Sequence, residues 1–516
     1  MTRHASQPPA GPWRTRLLFG FLLLFRVLPL LAVEELRGLW VDTFHPGLRN
    51  AREIDELVKE ARTAGFNALF VEVRRRGDTW YDSSFEPRVP ESHPEFDPLQ
   101  HLLTLAHDTN QGPRLEIHAW TVAFNIWNST NSRPDSPDHP FLRHSEWLTR
   151  TASGRIWDGA NFAFDPGHPE VQEYTFHVLM DLVRRYDLDG LHLDYIRYAD
   201  RDQGYHPEAI RRFNEGKGRK GRPMPTDPDW LQFRRDQITA IVRKIYLTCL
   251  EERPALKVSA ATITFAPGIT RTPDWPSSSA YRGVLQDWRA WMEEGILDWN
   301  IPMAYFRQTE YPDAMAAWST FIKDHQYRRR AAIGLGTYLN TPSNITAQIR
   351  LAKRPSPAGN EAIGVVVYSY ATPSLDTSRT ATFHALRNPS RFDAHPIPVF
   401  SAPATVPPVP WKSSRQFGHL KGFVRNSRTE TAIDGARIVL TGPVQRTLQS
   451  DATGFFGTVD LPPGDYRLAV SAPGFDALNT DANLRGATVT HLDLPLESPS
   501  ATSPPSPRPA DPTPKP

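Results

Sequence analysis

Residues 186–198 read YDLDGLHLDYIRY. Leu191 and Leu193 alternate with His192 and Asp194, the period-2 pattern of a strand with one apolar face. If the leucines meet covering helices, His192 and Asp194 point into the interior that the strand helps to enclose. Asp187 and Asp189 precede the strand and read as turn or capping residues at its start. The strand runs over 190–196, with Asp194 near its end and Tyr195, Arg197 and Tyr198 close behind.

The same grammar repeats on both sides. Strands are predicted over 36–43, 68–75 and 114–122 before this stretch, and over 257–263, 297–305, 331–338 and 363–370 after it. Helical patterns follow them over 52–64, 98–109, 169–186, 228–252, 284–294, 312–325, 344–352 and 378–386. Eight β–α units in order predict an α/β chain folded as a (β/α)8 TIM barrel. A doubly wound open sheet is the competing fold, and it is disfavoured because no glycine-rich phosphate fingerprint follows the first strand.

Composition sets outer limits. The chain has 516 residues, 39% hydrophobic and 22% charged, enough for a large core. A net charge of +2 gives no electrostatic footprint for nucleic acid. One cysteine, Cys249, excludes an intrachain disulfide and a cysteine-rich metal cage, and no cofactor is expected. Arg3, Arg14 and Arg16 precede an apolar stretch, 17–33, interrupted by Arg26 and Pro29. That stretch is short and broken for a membrane span and predicts a signal peptide over 1–32, with an uncleaved anchor as the alternative. Export without disulfides suits a bacterial envelope protein with a large core. The barrel is assigned to 35–388 and a Pro-rich linker to 389–414. Short strands with turn signals over 415–497 predict a small all-β sandwich, and 498–516 is a Pro/Ser-rich tail too polar to fold.

A TIM barrel carries its chemistry at the C-terminal ends of its strands. Parity then nominates the inward residues: Trp40 and Asp42; Phe70, Glu72 and Arg74; Glu116, His118 and Trp120; His192 and Asp194. Tyr338 and Tyr370 stand at the ends of the last two strands. Carboxylates, an arginine, imidazoles and aromatic rings suit a sugar, since rings stack on pyranose faces and two carboxylates share the acid and base work. Arg74 would keep one carboxylate charged, and apolar burial would keep the other neutral. Asp194 is the leading catalytic candidate, with Glu72 and Asp42 behind it. Arg74, His118, Trp120, Asn125, His192, Tyr195, Arg197, Tyr305, Tyr338 and Tyr370 are the candidate substrate-binding residues. His118 and His192 with Asp194 and Glu72 leave a divalent metal open, although no paired motif such as His-x-His occurs and no metal site is assigned.

Several blocks carry a resemblance: ELRGLWVDT (35–43), GFNALFVEVRRRGDTWYDSSFEP (65–87), HAWTVAFNIW (118–127), FDPGHPEVQEY (164–174), YDLDGLHLDYIRY (186–198), IPMAYFRQ (301–308) and IGLGTYLN (333–340). In this order they resemble the family 10-like glycosyl hydrolases, bacterial envelope proteins related to the enzyme that cuts peptidoglycan strands lacking stem peptides. The resemblance implies a barrel, a glycan substrate and an acidic residue on the fourth strand, which maps onto Asp194. Family members commonly carry Gln at position 72 and a second Asp at position 195, where this chain has Glu72 and Tyr195, so the second catalytic carboxylate stays open. Residues 419–475 resemble a carboxypeptidase-regulatory-like domain, which implies a spacer or adhesion module and an association with the envelope.

Three functions follow as expectations. The first is a glycoside hydrolase acting on an extracellular or envelope glycan, peptidoglycan strands in the first instance. The second is a carbohydrate-binding barrel without catalysis. The third is a metal-dependent hydrolase or deacetylase.

Overall fold

In the computed structural model, which describes residues 1–2, 32–265 and 274–499, most barrel strands turn their aliphatic set outward. The signal segment falls almost wholly outside the described residues, and so does most of the 498–516 tail. Leu39, Leu69, Ile117, Leu191, Val258 and Val365 are buried against helix residues such as Ile54, Leu57, Leu182 and Ile245. This apolar shell joins β1 (Leu36–Val41), β2 (Ala68–Arg74), β3 (Glu116–Val122), β4 (Gly190–Asp194), β5 (Lys257–Ile263), β6 (Trp299–Ala304), β7 (Ile333–Gly336) and β8 (Gly364–Tyr368) to the surrounding helices. Neighbours pair in parallel from β1 to β8, and β8 returns to β1 with Val366 opposite Gly38. The ring is therefore a closed eight-stranded barrel, which leaves no free sheet edge.

The helices form where capping and amphipathicity agree. In α1 (Ala51–Ala64) the Asn50 side chain accepts from the Glu53 amide, and the buried face is Ile54, Leu57, Val58, Ala61 and Ala64. Gly65 ends it at φ 82°, the left-handed stop that glycine adopts most easily. The other covering helices are α2 (Pro98–His107), α3 (Pro169–Arg185), α4 (Pro228–Glu252), α5 (Trp288–Glu294), α6 (Pro312–Asp324), α7 (Pro342–Lys353) and α8 (Arg379–Arg387). A further helix, Pro207–Lys217, lies between β4 and α4 in a stretch to which the sequence assigned none.

Side chains fill the barrel interior: Trp40, Phe70, Trp120, Trp299, Ile301 and Val366. Such bulk fits because glycines face it. A Cβ on Gly190 would sit 2.0 Å from His118 Nδ1, and one on Gly334 would sit 2.7 Å from the Trp40 ring.

The stretch expected as a linker is laid across the barrel. Val399 and Phe400 are buried in the outer core, and Ala404–Thr405 pairs in parallel with Val33–Glu34. The Arg37 guanidinium donates to the Ala402 carbonyl at 2.8 Å. Lys412 pairs with the fully buried Asp298 side chain at 2.6 Å.

Beyond it, eight strands form the β domain: β9 (Gly418–Asn426), β10 (Arg437–Thr441), β11 (Gln445–Gln449), β12 (Phe455–Leu461), β13 (Gly464–Ser471), β14 (Leu478–Leu484), β15 (Val489–His491) and β16 (Leu494–Leu496). One sheet runs β12-β9-β15 with β16 also on β9, and the other runs β11-β10-β13-β14. Leu420, Val424, Ile438, Phe456, Leu468 and Val470 fill the space between them. Phe455 and Val459 instead join the core of the barrel. Arg329, fully buried, forks onto Asp460 at 3.0 and 3.1 Å.

Candidate active site

The barrel mouth opens over a floor of aromatic rings. Tyr305, at the end of β6, and Tyr368 stack with centroids 5.7 Å apart. The Trp40 ring lies 6.1 and 6.3 Å from them, and Trp120 lies 6.2 Å from Tyr368. All four line a pocket with Glu72, Asp194, Asn125, Tyr195 and Arg197. Its rim adds Phe44, Arg75, Arg76 and Asn161.

Asp194 ends β4 and receives three donors. Trp120 Nε1 reaches Oδ2 at 3.1 Å, the Tyr195 amide reaches Oδ1 at 2.6 Å, and Arg197 reaches Oδ1 at 3.0 Å. Tyr195 sits at φ 48°, a left-handed conformation that bulky residues rarely take and that costs on the order of 1 kcal/mol. The turn aims the Tyr195 amide at Asp194 and stacks the Tyr195 ring on the Arg197 guanidinium, 4.1 Å from its centroid. Asp194 is thus fixed in orientation by the segment that follows it.

Glu72 reaches the same pocket from β2 and meets a different environment. Its Oε2 accepts from the Thr43 amide at 3.0 Å and from the Thr43 hydroxyl at 2.8 Å. Burial pushes its carboxyl up to about 7, outweighing the Thr43 bonds and the nearby Arg75. Tyr368 lies in the field of both carboxylates, although burial is the main reason its own hydroxyl is held in the neutral form.

Other nominated residues lie elsewhere. Arg74 does not point into the mouth. The β2–β3 register shifts between Glu72 and Arg74, which breaks the alternation. Its guanidinium instead forks onto Glu86 at 2.8 and 2.6 Å and donates to the Val122 and Ala123 carbonyls. His118 and His192 point inward but lie below the pocket. His118 stacks on Phe70 at 4.4 Å. His192 Nε2 accepts from Trp40 Nε1 at 3.0 Å, so its Nδ1 carries the hydrogen toward Ser259, 2.9 Å away. Burial holds its pKa well below the ordinary value, so the ring is neutral. Among the described residues no group of three or more His, Cys, Asp or Glu side chains is arranged to hold a metal ion.

Asp42 does not line the pocket either. Its Oδ1 accepts from the Phe44 and His45 amides at 3.2 Å each and contacts the His45 ring at 2.7 Å. It thereby builds the turn that carries Thr43 to Glu72. Tyr370 lies past the end of β8, buried beside Phe383 and under Arg379, whose guanidinium is 4.2 Å from its ring. Tyr338 is partly exposed and touches Tyr305 and Tyr368 edge-on at 6.3 and 5.8 Å.

Sequence reasoning did not nominate Tyr368, Phe44, Arg75 or Arg76. Tyr368 was hidden because the eighth strand was carried two residues too far. The two arginines were hidden because the bulge changes which residues after Glu72 face the mouth.

Several known proteins are similar to parts of this chain. The glycosyl hydrolase YngK of Bacillus subtilis is 25% identical over 412 residues, covering 73% of this chain and 74% of that protein. The glycosyl hydrolase DigH of Escherichia coli is 26% identical over 306 residues, covering 54% of this chain and 64% of DigH. The solved glycoside hydrolase domain of PgaB (BpsB) from Bordetella bronchiseptica superposes with a TM-score of 0.46 at 14% identity, over 68% of this chain and 98% of that one. The carboxypeptidase regulatory-like domain matches residues 419–497, the β domain. The glycosyl hydrolase-like 10 family matches residues 35–348, from the first barrel strand into α7 and well over half of the chain. With a closed barrel presenting Glu72 and Asp194 at its mouth, this chain belongs to the glycosyl hydrolase-like 10 family.

Proposed function

We propose that the protein hydrolyses O-glycosidic bonds in a glycan, with Glu72 as the general acid and Asp194 as the second carboxylate. One observation carries this reading: two carboxylates share one pocket in opposite environments. Glu72 is buried, with its carboxyl pushed up to about 7, and so keeps its proton in a substantial fraction of molecules at neutral pH. Both Thr43 bonds fall on Oε2, which leaves Oε1 to carry that proton towards a leaving-group oxygen. Asp194, surrounded by donors and a guanidinium, presents the charge that an oxocarbenium-like transition state needs. Trp40, Trp120, Tyr305 and Tyr368 offer faces for sugar rings, and Asn125 offers an amide for a hydroxyl.

Peptidoglycan strands are the first substrate to try, and the basic, apolar N-terminal segment supports action outside the cytoplasm. The β domain, as a carboxypeptidase regulatory-like module, supports retention at the envelope. The test is digestion of intact and peptide-stripped peptidoglycan and a panel of other glycans, with products read by mass spectrometry. Wild-type protein should release sugar fragments, and Asp194→Asn should release none while still binding the strands. Release by Asp194→Asn at the wild-type rate would remove Asp194 from the chemistry. Binding with no release by wild type on any glycan would make the protein a carbohydrate-binding barrel.

A further inference from the structure

The charges at the mouth do not balance. Among the lining side chains only Glu72 and Asp194 are acidic, against Arg75, Arg76 and Arg197; burial favours the neutral form of Glu72, and Arg197 already answers Asp194 at 3.0 Å. Arg75 and Arg76 line the same pocket and remain over. The Arg76 side chain makes no ion pair or hydrogen bond among the described residues, and burial together with the neighbouring Arg75 disfavours its charge, outweighing the more distant Glu72 and Asp78. Arg75 comes no closer than 3.7 Å to Asp78 and 4.0 Å to Glu91, outside hydrogen-bond contact. Its Nε is buried with no partner. Both guanidinia lie against Phe44, at 5.5 and 4.9 Å from its centroid, and Phe44 is half exposed at the rim. Two adjacent, part-buried cations with no hydrogen-bonded counter-charge gain from an anion that enters the pocket. Glu72 supplies only part of the counter-charge, since burial raises its carboxyl to about 7 despite Arg75.

We infer that Arg75, Arg76 and Phe44 form a subsite for a carboxylate carried on a sugar ring, so that the ligand is an acidic glycan rather than a neutral one. A guanidinium presents paired donors that match the two oxygens of a carboxylate, and the Phe44 ring packs against the sugar that bears it. The placement of this sugar beside the cleaved bond rests on the glycosidase reading; the preference in binding does not.

The test measures binding and cleavage separately on the full-length protein. Three ligands are compared: peptide-stripped peptidoglycan strands with free carboxylates, the same strands capped as methyl amides, and neutral chitin oligosaccharides. Wild type should bind the free strands about 10-fold or more tightly than the capped ones, the loss expected for a charge-assisted contact. Arg75→Gln and Arg76→Gln should bind the two forms more nearly alike, at an unchanged melting temperature. Selective binding of free strands without any cleavage leaves the subsite standing and removes the glycosidase reading. Cleavage of all three ligands with equal binding overturns the subsite and leaves the glycosidase reading standing. The wild-type comparison alone decides this, even if a variant fails to fold.

Discussion

Glu72, the proposed general acid, is held at a cost in stability. Its folded value, about 7, lies above its ordinary 4.5. The native state therefore keeps a proton that the unfolded chain has released, and stability falls as pH rises from about 4.5 to about 7. Glu72→Gln removes that penalty and keeps an oxygen for the Thr43 donors. It should match wild type at pH 4 and exceed it at pH 8 by roughly 3 kcal/mol at most. Urea unfolding at the two pH values checks this, and a variant equally stable to wild type at pH 8 would place the Glu72 proton elsewhere. Parity made Glu72 and Asp194 legible in the sequence, because aliphatic neighbours on both sides fix which way each points. Parity says nothing of depth. His118 and His192 point inward as read, yet they fill lower layers, where Gly190 makes room for the His118 ring.

At the scale of elements, the bulge in β2 separates what was legible from what was not. A run such as EVRRRGD continues the alternation on paper, so Arg74 reads as a mouth residue. The shift after Glu72 diverts Arg74 to Glu86, where Tyr174 completes the site with a hydroxyl 2.9 Å from Glu86. The pair ties β2 to its loop and to α3, beneath the pocket. Arg74→Met would leave Glu86 buried without its cation and should cost about 3–5 kcal/mol, with Arg74→Met/Glu86→Leu recovering much of the loss. Denaturant midpoints of the three variants test this. A small loss in the single variant would mean that the pair is dispensable. Eight strands and their helices were legible because each is long and strongly periodic. Strand ends were less so, and that is why Tyr370 was read for Tyr368.

At the scale of the molecule, the barrel and the β domain share a core. Phe455 and Val459 pack among barrel residues, and Arg329 of the barrel is neutralised by Asp460 of the β domain. A boundary between them was legible from the change of periodicity, but their docking was not, since no local pattern encodes a surface between distant segments. Asp460→Ala strips a fully buried guanidinium of its counter-charge and should cost about 3 kcal/mol, lowering one shared calorimetric transition. Two transitions, with only the smaller one shifted, would mean that the domains fold independently. The barrel is thus braced from below by the segment over 389–414 and from the side by the β domain, while its mouth carries the proposed catalytic pair. That chemistry is tested most directly by the pH dependence of kcat/KM for glycan cleavage, in wild type and in Glu72→Gln. Wild-type activity should fall above a limb near pH 7 as Glu72 loses its proton, and Glu72→Gln should lose the limb together with about 10²–10⁴-fold of the rate. A Glu72→Gln variant that keeps both the rate and the limb would contradict the assignment of Glu72 as the acid.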